Sequence, residues 1–170
     1  MEYFVKNIIL LLMGVYFISC GGGSNRTAAE LWDDAQNYRA DDNLKESITS
    51  FKTILLKYPS NNFAAEAQFQ IADIYLNDVK DFDFAVKEFQ KVVDLYPDHE
   101  VSKKSLFMIA YIFNNYLNAY SDAIMTYKLF RQKYPNDELI PSVEFELDGL
   151  IDIQSTIDSL NSIVNKKSNI

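Results

Sequence analysis

Three tyrosine–proline pairs, Tyr58-Pro59, Tyr96-Pro97 and Tyr134-Pro135, stand 38 residues apart, and each closes the same pattern. Twelve residues before the prolines come Ser47, Ala85 and Ala123, eight before come Phe51, Phe89 and Tyr127, and five before come Ile54, Val92 and Phe130. A fixed period of this length marks a stacked array of like units, because one such unit cannot bury its apolar face alone. Within the unit the spacing is helical. A small residue is needed where two helices cross closely, and an aromatic one turn later fills the space beside it. Proline then ends the helix, since it lacks the donor and disfavours helical geometry in the residue before it. An earlier series repeats the theme: Ala35, Ala72 and Ala110, followed three residues later by Tyr38, Tyr75 and Phe113. Each unit is therefore a pair of helices.

These residues resemble the tetratricopeptide repeat, with its small residue, aromatic, apolar residue and terminal proline. The resemblance spans about residues 28–150, and from Ala28 to Pro59 the spacing is that of the standard unit. Later units are longer, with the added residues expected near Ser60 to Phe63 and Asp98 to Val101. The fold expected is all-α: an α-solenoid of about three helix pairs plus a long C-terminal capping helix. Helices are expected over 28–40, 44–58, 62–78, 82–96, 100–117, 120–134 and 138–164. In the last, Leu139, Val143, Leu147, Leu150, Ile153, Ile157, Leu160 and Val164 form one stripe at a spacing of 3 or 4,. Gly149 lies inside it and would cost about 1 kcal/mol against Ala, and residues 166–170 read as a frayed tail. The scarcity of turn formers, 5 Gly and 4 Pro, suits helices and disfavours a many-stranded sheet,.

Residues 8–18 form an apolar run of 11, too short to cross a bilayer but suited to the central region of a signal peptide,. The run ends Phe17-Ile18-Ser19-Cys20-Gly21, which resembles the lipobox of bacterial lipoproteins. That resemblance implies a signal peptide over 1–19, lipidation of Cys20, and a tether over 20–27 carrying Gly21-Gly22-Gly23-Ser24-Asn25. The other readings are an uncleaved anchor, or a cleaved signal with Cys20 as an ordinary thiol. Several acyl chains together give stable attachment where one does not. No Asp follows Cys20, so the expected location is the periplasmic face of the outer membrane.

The extra repeat length is typical of BamD-like outer-membrane assembly lipoproteins and, as a close second, of YbgF/CpoB proteins, although no sustained heptad precedes the repeats here. In this repeat class the first helices line the concave surface. Carried onto this chain, the resemblance implies a partner-binding groove of Trp32, Phe69, Phe107 and Phe145, beside Gln36, Asp73 and Tyr111, with Arg39, Asn77, Asn114 and Asn115 near the helix ends. Rings and amides suit an extended peptide or a partner helix; the competing reading is that the rings pack as core.

The function expected is a membrane-anchored scaffold for protein partners, with Tol-Pal coordination or small-nutrient binding as other possibilities. No catalytic role, cofactor or metal is expected. The sequence has no G-x-S-x-G, no phosphate loop and no H-E-x-x-H, and the acidic turns Asp41-Asp42, Asp78, Asp81 and Asp83 lack a calcium-loop glycine,. His99, the one histidine, stands just before a helix start where Asp98 is the expected cap,. A net charge of -8 argues against nucleic acid,.

Overall fold

The computed structural model describes residues 26–168, and the readings made for residues 1–19, Cys20 and most of the tether lie outside them. Seven α-helices follow one another without a strand among the described residues: α1 (Ala28–Ala40), α2 (Leu44–Lys57), α3 (Asn62–Ile74), α4 (Phe82–Leu95), α5 (Glu100–Asn115), α6 (Tyr120–Lys133) and α7 (Ile140–Ser168). A five-residue π turn, Tyr75–Val79, extends α3. Three antiparallel pairs stack side by side and α7 closes the array, a solenoid of the kind expected from the period,.

The 38-residue period extends into the backbone. Tyr58, Tyr96 and Tyr134 end α2, α4 and α6 with nearly the same conformation, φ -133, -130 and -130. Three residues on, Asn61, His99 and Asp137 each accept a hydrogen bond from the backbone N–H two residues ahead, at Phe63, Val101 and Leu139. His99 thus caps α5, where Asp98 was expected: the cap belongs to the third residue after tyrosine in every unit. Within each pair the turn places Asp42, Lys80 and Asn118, again 38 apart, in the left-handed region. The first helix opens on a capping box in which the Thr27 N–H donates to Glu30 Oε2 and the Glu30 N–H to Thr27 Oγ1,.

The core follows the small and aromatic positions. Ala35, Ala72, Ala85, Ala110 and Ala123 are fully buried, as are Phe51, Phe89 and Tyr127. Where the second helix of the first pair has Ser47 in place of Ala, its buried hydroxyl donates to the Ala35 carbonyl at 2.8 Å, so the polar group stays satisfied at the crossing,.

Two elements depart from the expected spans. The helix expected over 62–78 stays α-helical only to Ile74, where the ladder widens and the Asp81 N–H reaches back to the Tyr75 carbonyl. Ala35 to Ser47 spans 12 positions, whereas Ala72 to Ala85 and Ala110 to Ala123 each span 13. The second unit takes up the added residue in the π turn, and the third at its helix end, where the Leu117 N–H reaches back five residues to the Ile112 carbonyl,. The added length therefore lies partly inside the second and third units and not only between units. The last helix runs unbroken through Gly149 and on past the array. Val143, Leu147 and Leu150 are buried, whereas Ile153, Leu160 and Val164 of the same stripe are exposed.

Candidate functional site

The rings expected to line a groove come first. Trp32, Phe69 and Phe107 occupy the same place in α1, α3 and α5, and each meets the buried ring of its own second helix edge-on. The pairs are Trp32 with Phe51 at 5.3 Å, Phe69 with Phe89 at 5.2 Å and Phe107 with Tyr127 at 5.7 Å. Trp32 also stacks on Phe63 of α3 at 5.3 Å. All three are half-buried, so most of their area serves packing between helices,. Phe145 differs. It stands 38 residues after Phe107, but α7 has no second helix to supply a ring, and Phe145 is 79% exposed.

Polar residues of adjacent first helices interlock along the same side. Arg39, near the end of α1, donates from Nε to Asp78 Oδ2 at 2.7 Å, from Nη1 to Gln70 Oε1 at 3.0 Å and from Nη2 to Asp73 Oδ2 at 2.7 Å. Asn77 Nδ2 donates to the second oxygen of Asp73 at 2.7 Å. Arg39, Asp73 and Asn77, expected from the repeat pattern, are thereby one cluster. Gln70 shares their helix face by the i, i+3 rule, while Asp78 is brought in by the π turn. A guanidinium held by three acceptors is geometrically fixed, as its planar fork favours.

At the other end, Asn114 Nδ2 donates to Glu146 Oε2 of α7 at 2.8 Å, and Asn115 Nδ2 to the Tyr111 carbonyl at 3.0 Å. Tyr111 sits edge-on to Tyr116 at 6.0 Å, and Tyr116 stacks on Phe82 at 4.3 Å. Asn114, Phe145, Glu146, Gly149, Leu150 and Ile153 line an open cleft of about 320 Å³. Gln36 lies half-buried on α1.

Among the described residues no group of three or more His, Cys, Asp or Glu side chains is placed to hold a metal, and His99 is committed to its cap. Glu88, buried, accepts from Gln68 Nε2 at 2.7 Å and pairs with Lys91 Nζ at 2.6 Å, a satisfied carboxylate inside the second unit,. No described helix is long and apolar enough to cross a membrane.

No curated protein matches the chain. A family model described as SNAP, soluble NSF attachment protein, matches residues 18–141, well over half of the 170. That family is all-α with a tetratricopeptide-like fold, and its members are non-catalytic adaptors. Helix pairs in register, interlocked first helices and this match agree on a helical scaffold for protein partners. The chain belongs to the soluble NSF attachment protein family.

Proposed function

We propose that this chain is a membrane-anchored scaffold facing the periplasm, holding a protein segment against the side formed by its first helices, in a BamD-like role in outer-membrane protein assembly. The observation that carries the binding part is the row of fixed polar groups on α1, α3, α5 and α7, with exposed Phe145 at its end. Asp73, Asp78 and Glu146 stand there against one guanidinium, already engaged. An extended or helical segment carrying Lys, Arg or free backbone donors complements such a row, since charge matching steers encounter and fixes register. The SNAP family description names attachment to a partner, NSF, and supports an adaptor role in general. The anchor and the location are supported by the lipobox-like residues Phe17 to Gly21.

The test places a photo-crosslinking side chain in the full-length protein in cells, at Asn77 or Asn115 on the first-helix side and at exposed Leu56 on α2. The same envelope protein, a barrel precursor or an assembly factor, should be captured from Asn77 and Asn115 but not from Leu56. Equal capture from Leu56, or none from either asparagine, removes the binding surface. Replacing Cys20 with Ala should move the protein from the membrane to the soluble fraction; unchanged membrane association removes the lipid anchor.

A further inference from the structure

Beyond Leu150 the final helix leaves the array and carries an apolar stripe that is exposed at Ile153, Leu160 and Val164 and half-buried at Ile157. Leu150, Ile153, Ile157, Leu160 and Val164 follow at spacings of 3, 4, 3 and 4, the a and d positions of a heptad,. Leu150 is buried against the repeats, but Ile153 is 43%, Leu160 58% and Val164 63% exposed. The stripe is thus a continuation of the core seam into solvent. A stripe this regular calls for a helix as its complement.

We propose that the occupant is a second copy of this chain, its α7 packed along the first over Ile153 to Val164 about a twofold axis. Charge selects this occupant. The positions flanking the seam, e and g of the heptad, hold Gln154, Asn161, Gly149, Thr156 and Ile163, none of them charged. Asp152 and Asp158 fall at c and b, away from it. In a chain of net charge -8 a seam built for a basic partner would display carboxylates at e and g, where partner choice is set,. A neutral flank meets its own copy without like-charge repulsion. Over the solvent-facing turns, Ile157 and Val164 at a with Leu160 at d is the arrangement that favours a pair of helices, and Ile153 is the one d position there that departs from it,. A twofold pairing is also self-limiting, because each copy uses the same patch. The pairing is independent of whether the first-helix side binds a segment.

Ile157 lies near the middle of the seam, so it faces its copy whether the helices run parallel or antiparallel. A photo-crosslinking side chain at Ile157 of the full-length protein, co-expressed in two differently tagged forms, should yield a product of twice the chain mass carrying both tags. The same probe at Ser155, position f on the opposite face, should not. Leu160→Asp combined with Val164→Asp should reduce the Ile157 product at least tenfold, while helical circular dichroism shows the repeats still folded, since neither side chain belongs to the repeat core. A product of any other mass, equal yield from Ser155, or persistence of the product in the doubly acidic form overturns the pairing.

Discussion

At the scale of single residues, the repeat acts as its own control. Tyr127 takes the place of Phe51 and Phe89, is fully buried, and its hydroxyl has no hydrogen-bond partner among the described residues. Burial pushes its phenol well above the usual range, with Glu146 and Tyr111 adding to the effect. A buried hydroxyl without a partner costs about 1–3 kcal/mol, and the other two units show that the ring alone suffices. Tyr127→Phe should therefore raise stability by about 1 kcal/mol in a denaturant titration. A loss of stability would mean that the hydroxyl has a partner after all. Ser102 and Ala64 make a similar pair, 38 residues apart, with the serine hydroxyl again buried and unpartnered.

At the scale of elements, the first helices all start on a side-chain cap, whereas two of the three second helices do not. Asn43, Asp81 and Ala119 precede the second helices at φ -86, -93 and -88 and ψ 63, 87 and 65, and of the three only Asp81 makes a side-chain cap, accepting from the Phe84 N–H at 3.0 Å. Ala119→Asp should supply the missing cap to α6 and stabilise it by about 1 kcal/mol, read as a higher melting temperature. No change, with a crystal structure showing the new carboxylate turned to solvent, would refute the expectation.

These caps also show what spacing can and cannot convey. Helix spans were legible because proline, small residues and aromatics recur in every unit, and α1 runs over the expected residues, Ala28 to Ala40. Asp98 is chemically the better cap than His99, but the junction geometry decides which of the two reaches the helix start. The second and third units carry the same added residue, which a spacing reveals, but one absorbs it in a π turn and the other at the helix end, which a spacing does not. Of the expected binding residues, Arg39, Asp73 and Asn77 do come together, but the contact with Asp78 spans 39 positions and depends on that turn. The half-buried state of Trp32, Phe69 and Phe107 was open in the sequence, since a ring facing a groove and a ring facing its neighbour helix share one periodicity.

At the scale of the whole molecule, the last junction is held by an ion pair. Lys103 of α5 meets Asp137, the residue that caps the start of the last helix, at 2.9 Å. The Leu139 N–H and then Lys103 hold the Asp137 carboxyl below its ordinary value, and Asp137 raises the Lys103 ammonium in return. A depressed carboxyl contributes stability above its unfolded value, near pH 4, and loses it as pH falls through the folded value. A raised ammonium contributes below about pH 10 and loses it above its folded value. Lys103→Gln should therefore lower the melting temperature between pH 6 and 8, with the gap to the parent closing below about pH 3.5. A gap that stays constant into acid would show that the pair contributes through packing alone.

Each unit leans on the one before through Ile71 and Ile74 in α3, Ile109 and Ile112 in α5, and Leu147 and Leu150 in α7. The corresponding places in α1 hold Asp34 and Asn37. At the far end, Glu144 and Asp148 stand where α5 has buried Leu106 and Ala110, and Glu144 pairs with Arg131 of α6. Any molecule made of stacked hairpins has two ends that could join head to tail and grow into a filament. Here the places that would meet hold Asp34, paired with Arg26, and Asn37 at one end and Glu144 and Asp148 at the other, so growth along that axis would bury charged groups at both ends,.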